Sequence, residues 1–348
     1  MNQINQMNQR DASPQGKGSE TFYRQEGGSQ TRDEWREARG TTFLLPLLHA
    51  SRFTILGSNV DTAIRHPHDV GMTEQIEQAL VERIDKHRIE LPVLPQVAGR
   101  VMALANDPSA DAARLSALIH QDQALAAHVL RIANSPAYMP RTPIASLQHA
   151  VAMLGMSQLS EIAVTVSLKS VAVKIAGHEE DIRQLWRHAL ASGAYAKEIA
   201  RMRRYNVESA YLCGLLHAVG KPVVLKTVSA IASEMHIPLD PGTVASFLDG
   251  YHPRVGSLIA IEWALPPQVA ETITYYRIYE QAPSHKQEVM MTCLADRLAT
   301  YILVPDSFDD STLREHTVFA DLNLYPNDID SLLNLKEKVL NLVDAMAQ

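Results

Sequence analysis

Hydrophobic residues recur at helical spacing along most of the chain from Thr73 onward. Thr73 is a plausible N-cap, and the apolar positions after it lie three or four residues apart, on one face of a helix. Ser146 is predicted to cap one of the helices that follow, and Gly155 to end it. In the second half the spacing predicts helices over Asp181–Met202, Glu208–His217, Pro222–Met235, Thr243–Leu248, Pro253–Ala264, Gln268–Glu280, His285–Leu303 and Asn327–Ala347.

Strand signals are missing from the sequence. No alternating apolar and polar segments flanked by turn dipeptides occur, so the fold class is predicted as all-α, a bundle of many helices with short loops. The predicted helices differ in length, and no period of about 20–50 residues recurs, which argues against a solenoid repeat.

Composition divides the chain into four segments. Residues 1–40 are polar and are predicted to form a disordered arm, because they cannot bury enough apolar surface to offset the entropy of ordering. Residues 41–72 are predicted to be a linker that packs partly on the main body, with an apolar patch at Phe43–Leu48. Residues 73–303 form the predicted main domain, and residues 304–348 a helical C-terminal extension packed on it.

Charge and cysteine content exclude several classes of protein. The 32 Lys and Arg face 39 Asp and Glu, so the net charge of -7 disfavours nucleic-acid binding, which needs a basic face. Cys213 and Cys293 form no C-x-x-C pair, which excludes a disulfide scaffold and a Cys-rich zinc site. The N-terminus lacks an apolar signal core, and no apolar run reaches the length of a membrane span. A cytoplasmic protein without a membrane span is therefore expected.

One stretch superficially resembles a phosphate-binding loop. Gly214 and Gly220 precede Lys221, but they are one position too far apart. Pro222 replaces the hydroxyl residue that ligates magnesium, so this interpretation is rejected. Neither G-x-S-x-G nor G-x-G-x-x-G occurs, which leaves serine hydrolase and dinucleotide-binding functions without support.

Three histidines and one aspartate stand out in the apolar second half. His188, His217 and His252 lie on or at the ends of predicted helices, and Asp296 lies on a later one. Imidazole and carboxylate groups from different helices could converge inside a bundle and hold a divalent metal. Single histidines far apart in sequence are more often structural, so spacing alone leaves both interpretations open.

Several sequence blocks follow one another in the order found in a known family. They are Leu91–Pro95, Asp122–Tyr138, Ile144–Gly155, Leu185–His188, Gly214–Lys221, His252–Gly256, Trp263–Pro266 and Ala295–Arg297. In these blocks the chain resembles the HDOD domain, the "HD-related output domain" of bacterial signalling proteins. The resemblance implies an all-α HD-like bundle, diverged from the HD metal-dependent phosphohydrolases.

The resemblance assigns positions of the ancestral metal site to residues of this chain. The enzymes hold one or two metals with a first His, a His-Asp pair, further histidines and a final Asp. The corresponding residues here are His188, His217, Ala218 at the Asp position of the pair, His252, Tyr275 and Tyr276 at the later paired-His position, and Asp296.

The departures from the family pattern predict a degenerate site. The methyl group of Ala218 can neither ligate a metal nor orient a water. Tyr275 and Tyr276 are poor ligands, because a phenol must first lose a proton with a pKa of about 10. No catalytic residue, cofactor or metal is therefore expected, although the four remaining ligand positions allow weak binding of one divalent cation.

A helical domain with a lost active site is expected to act by binding. The resemblance implies a regulatory module in signal transduction that binds signalling proteins in trans, since the sequence before Leu91 predicts no receiver domain. Two alternatives remain: a metal-dependent phosphohydrolase acting on a nucleotide or cyclic dinucleotide, and a non-catalytic sensor of a nucleotide second messenger. The oligomeric state is left open.

Two surfaces are candidates for partner contact. Arg201, Arg203, Arg204 and Tyr205 form a basic cluster with one aromatic residue, which is equally typical of a solvated helix C-terminus. The aromatic run Tyr275–Tyr279 is either core packing or a platform for a ligand.

Overall fold

The fold is entirely helical wherever the structure, a computed structural model, describes the chain: residues 67–105, 110–169, 175–304 and 307–347. These residues belong to one folded unit, Leu56–Gln348. The predicted disordered arm, residues 1–40, and the linker up to residue 66 lie outside the described residues. Within those residues no strand is present, so the predicted all-α class is confirmed.

Six helices lie between residues 67 and 169, in the first part of the chain that the structure describes. They are α1 Pro67–Asp85, α2 Gln96–Ala105, α3 Ala112–His120, α4 Gln123–Ala133, α5 Leu147–Leu154 and α6 Met156–Lys169. The side chain of Ser146 accepts the backbone N–H of His149 at the start of α5, and Gly155 follows that helix with a φ of 83°. Both predicted ends of α5 are therefore confirmed.

The central part carries the predicted site. Its elements are α7 Glu179–Arg203, α8 Val207–Leu216, α9 Lys221–Met235, α10 Pro241–Glu262, α11 Pro267–Tyr275, a 3-10 helix Tyr279–Gln281 and α12 Lys286–Leu303. The long helix α7 packs against α8 and α12, while α9 packs along α10. Tyr195 on α7 and Tyr211 on α8 are among the largest fully buried side chains, so the core runs between these helices.

The C-terminal residues form four further helices. They are α13 Asp310–Arg314, α14 Thr317–Asp321, α15 Pro326–Leu333 and α16 Lys336–Ala347. Helix α16 packs on α7, and α14 packs on α12. Leu332 and Val343 are fully buried, so apolar contacts hold this segment on the central helices.

Several predicted helix boundaries are wrong. Helix α1 begins at Pro67 rather than after Thr73, because proline is well suited to the first helical turn. The two helices predicted on either side of Pro253 are one continuous helix, α10. The helix predicted over Gln268–Glu280 ends at Tyr275, where Ile278 N–H donates to the Tyr275 carbonyl at 2.9 Å.

The last predicted helix, Asn327–Ala347, is two helices. The chain turns where Leu335 N–H donates to the Leu332 carbonyl at 3.2 Å. This hydrogen bond spans three residues rather than four, so α15 ends here and α16 starts separately at Lys336.

One described stretch, Val207–Met235, is long and apolar enough by composition to cross a membrane. It comprises α8, the following turn and α9, and 61% of its most apolar window is buried inside the fold. Packing against neighbouring helices accounts for this apolar character.

Candidate functional site

Three of the predicted site residues converge between helices α7, α8 and α12. His188 lies in the middle of α7, His217 caps the C-terminus of α8, and Asp296 lies on α12. One ligating atom from each lies within 4.8 Å of the other two. These three residues are called the His–His–Asp cluster below.

His217 is completely buried and is fixed from both sides. Its Nδ1 lies 2.6 Å from the carbonyl oxygen of Gly214, and its Nε2 lies 3.1 Å from Oδ1 of Asp296. The backbone carbonyl can only accept, so Nδ1 carries the proton that points to Gly214. Nε2 is therefore the atom directed at the cluster.

Thr300 joins the cluster from the next turn of α12. Its Oγ1 lies 2.9 Å from the Asp296 carbonyl oxygen and 3.0 Å from Nε2 of His188. The same Nε2 lies 3.7 Å from Oδ1 of Asp296. Thr300 was missed by sequence reasoning, although its position four residues after Asp296 places it on the same helix face.

Burial and charge set the protonation of two cluster members. Burial lowers the pKa of His188 to about 4, against the opposing effect of Asp296, so the imidazole is neutral at pH 7. Burial by itself would raise the pKa of Asp296. The hydrogen bond with His217 and the electrostatic effects of His188, His217 and Lys221 outweigh it, and the pKa of Asp296 lies well below its usual range.

Tyr276 packs against two imidazoles. Its ring meets His217 edge-on with centroids 4.8 Å apart, and its centroid lies 5.7 Å from that of His252. Its hydroxyl accepts from Nε of Arg277 at 2.9 Å and lies 3.2 Å from Nε2 of His252. His252 therefore binds the tyrosine and does not belong to the His–His–Asp cluster. Tyr275 is half-buried at the edge of the core.

Three charged side chains, Asp249, Arg277 and Lys221, interact with one another near this tyrosine. Oδ1 of Asp249 lies 2.7 Å from Nη2 of Arg277 and 3.2 Å from Nζ of Lys221. Burial raises the pKa of Asp249, but these two cations outweigh that effect and hold it below its usual value. Pro253 lacks the N–H that would bind the Asp249 carbonyl within α10, and Nη1 of Arg277 reaches that oxygen at 3.4 Å.

The turn between α8 and α9 is seated directly on α10. A Cβ atom at Gly220 would lie 2.2 Å from the carbonyl oxygen of His252 and 2.7 Å from the N of Gly256. Only glycine permits this approach of two backbones. Ala218 lies half-buried in the same turn, directly after His217.

The predicted basic cluster lies far from these residues. Arg201 and Arg203 are in the last turn of α7, about 20 Å along the helix from His188, and Arg204 caps it with a φ of 59°. Arg201 forms an ion pair with Glu198, and Tyr205 is 37% exposed. The basic cluster is therefore a surface separate from the His–His–Asp cluster.

The helical bundle and the His–His–Asp cluster define an HD-like protein. The chain matches the HDOD domain family over residues 91–279 and belongs to that family. It is 25% identical over 230 residues to an uncharacterised protein of Treponema pallidum (strain Nichols), in an alignment that covers 63% of this chain. The chain spans only 43% of the length of that relative.

Solved structures share the fold. An HDOD domain protein of unknown function from Geobacter sulfurreducens has a TM-score of 0.61 at 25% identity, covering 80% of this chain and 98% of its own. A protein provisionally described as a phosphohydrolase, from Shewanella amazonensis SB2B, scores 0.60 at 21%, covering 77% and 98%. A provisionally described signal transduction protein from Marinobacter aquaeolei VT8 scores 0.62 at 20%, covering 88% and 72%.

The last two similarities establish the fold alone. The HDOD match fits a regulatory role, and the predicted family membership is confirmed.

Proposed function

We propose that this chain is a non-catalytic regulatory module of the cytoplasm that acts by binding signalling proteins in trans. The observation that carries the proposal is Ala218, which stands beside His217 where HD enzymes have a metal-binding aspartate. The phenol of Tyr276, packed on the imidazole of His217, supports it further. Two metals need ligands that bridge or surround both ions, and neither a methyl group nor a protonated phenol supplies one.

The donors present nevertheless fit one divalent cation. Two ligand atoms bound to one tetrahedral metal are about 3.3 Å apart, close to the 3.1 Å and 3.7 Å separations of Asp296 Oδ1 from the two imidazole nitrogens. His188 is neutral, as a ligand must be, and the Nδ1–H of His217 is held by a carbonyl in the manner usual for metal-binding histidines.

The convergence of these three donors favours a second candidate function, metal-dependent hydrolysis of a phosphoester. A bound cation would lower the pKa of a water and supply it as the nucleophile. His188, His217 and Asp296 would hold the cation. A carboxylate to orient that water is missing at position 218, which makes partner binding without turnover the better supported function.

Metal analysis together with a hydrolysis assay separates the two candidates. The full chain is purified without chelators, and metal per protein is measured by elemental analysis. A panel of nucleotides and cyclic dinucleotides is then assayed with added Mn²⁺. We expect a metal ratio near zero and no product. A ratio near one with turnover, both lost in Asp296→Asn and kept in Asp249→Asn, would establish the enzyme instead.

The partner surface is tested by a direct binding measurement. Once a signalling protein that copurifies with the chain is identified and purified, its affinity is measured by calorimetry. If the basic cluster contributes, Arg203→Ala and Tyr205→Ala should weaken binding, whereas Arg183→Ala, an exposed arginine near the other end of α7, should not. If no purified candidate binds the chain in this assay, the proposal is contradicted.

A further inference from the structure

An apolar cavity opens beside the His–His–Asp cluster. It has a volume of about 100 Å³, several times the space that one water needs. Its walls come from α6, α7, the end of α8, the α8–α9 turn, α9 and the segments before α2 and after α10. They include Leu185, Trp186, Pro222, Val223, Pro92 and Trp263. The lining is mostly apolar, so an apolar ligand would gain by entering it.

Two polar side chains, His188 and Lys221, interrupt this lining, and Ala218 also lines the cavity. Lys221 is only 15% exposed, and its ammonium lies 3.2 Å from Asp249. An ammonium group has three N–H donors, and a single carboxylate oxygen engages one of them. The ammonium group of Lys221 therefore has N–H donors that a ligand in the apolar cavity could engage.

The two tryptophans of the wall differ in one respect. The indole Nε1 of Trp263 donates to the Pro92 carbonyl at 2.7 Å. The Nε1 of Trp186 is buried, and no group in the described part of the chain accepts its hydrogen bond. A buried N–H without an acceptor is costly, and an acceptor on a bound ligand would remove that cost.

We propose that this cavity binds a small carboxylate with an apolar body, aromatic or aliphatic. The apolar part would fill the space between Trp186 and Pro222, and the carboxylate would accept from Lys221 or from the indole of Trp186. An apolar side chain of a partner protein would satisfy the walls but would leave both donors unused. This inference goes beyond the proposed regulatory role, because it concerns a ligand and not a partner or a metal.

Binding of phenylacetate to the full-length chain tests the inference. Calorimetry and tryptophan fluorescence are used, with 2-phenylethanol as the neutral ligand of matched shape and hexanoate as the aliphatic one. We expect saturable binding of a carboxylate with a Kd on the order of 0.1–1 mM, and at least about tenfold weaker binding of the alcohol. Nuclear magnetic resonance should recover the ligand unchanged.

Three variants locate the site. Lys221→Met should weaken carboxylate binding about tenfold or more, since it removes the charged donor. Trp186→Phe keeps the ring, removes the N–H and should weaken binding about two- to tenfold. Ala218→Leu should block the cavity. The matched control is Lys226→Met, on the same helix, where the lysine is exposed and pairs with the exposed Glu90.

Several outcomes would overturn the inference. Absence of saturable binding of either carboxylate up to about 5 mM would do so, since a ring-sized ligand in a fitting site binds more tightly. Equal binding of phenylacetate and 2-phenylethanol, unaffected by Lys221→Met, would show a purely apolar docking slot. Thermal melting verifies that each variant is folded. None of these readouts depends on metal content or hydrolysis, so they are independent of the tests of the proposed function.

Discussion

The ring of Tyr276 stands edge-on against the imidazole of His217, 4.8 Å between centroids, while its hydroxyl reaches His252. One side chain thus supplies both an aromatic contact to the His–His–Asp cluster and a hydrogen bond to a histidine outside it. Without a metal, buried imidazoles need such partners.

Tyr276→Phe should lower the free energy of unfolding by about 1–2 kcal/mol. The substitution keeps the ring but leaves Nε2 of His252 and Nε of Arg277 without the hydroxyl that they contact. Urea denaturation followed by circular dichroism measures the change. Tyr205→Phe, at a partly exposed position, is the control and should have no effect. An unchanged midpoint for Tyr276→Phe would show that the hydroxyl network contributes nothing to stability.

His217→Ala should destabilise the protein by about 3 kcal/mol. It leaves the Asp296 carboxylate without its closest hydrogen-bonding partner and creates a cavity. The same denaturation experiment measures the loss, and His120→Ala, at an exposed position at the end of α3, should change it by less than about 0.5 kcal/mol. A variant with unchanged melting that had lost a measurable turnover would contradict the structural role of His217.

Gly220→Ala and Gly250→Ala should have opposite effects. At Gly220 the new methyl group would collide with the backbone of α10, so we expect a loss of about 3 kcal/mol or failure to fold. At Gly250, inside α10, a Cβ meets nothing within 4 Å, and alanine should stabilise the helix by about 0.5–1 kcal/mol. Equal melting temperatures for the two variants would refute the close approach.

Stability should fall as the pH drops below about 6.5. Burial, and then the positive charges of Lys221 and Arg277, lower the pKa of His252 well below its ordinary value. The imidazole of His252 therefore stays neutral in the folded state at a pH where it is protonated in the unfolded state. Because of this histidine, the free energy of unfolding should fall by about 1.4 kcal/mol between pH 7.5 and pH 5.5. Urea titrations at both pH values should show a smaller change in the free energy of unfolding for His252→Gln than for the unsubstituted chain. An equal change would mean that folding does not lower the pKa of His252.

Local signals made much of the helix pattern predictable. The N-cap at Ser146 and the stop at Gly155 depend on hydrogen bonds and backbone angles within a few residues of each position. The continuity of α10 was not predictable, because the compensation for Pro253 comes from Arg277, which is 24 positions away in the sequence. A contact at that range leaves no periodic signal.

The candidate site was predictable only in part. The resemblance pointed to His188, His217 and Asp296, which the structure brings together. It also pointed to His252 as a further ligand position, but its place beside Tyr276 depends on the packing of α10 against α11. The cavity next to the cluster was not predicted, because its walls come from segments as far apart as Pro92 and Trp263.

The interruption of α10 has a consequence for how this sequence can change. Because Pro253 frees the Asp249 carbonyl that Arg277 then reaches, the effects of substitutions at these two positions should be interdependent. Restoring an N–H at position 253 would let the helix bind its own carbonyl, and a shorter side chain at position 277 would then be tolerated better. The order in which these two substitutions arise would therefore decide whether the protein that carries only one of them is stable. The interruption of the helix thus limits the sequence of substitutions by which this site can change.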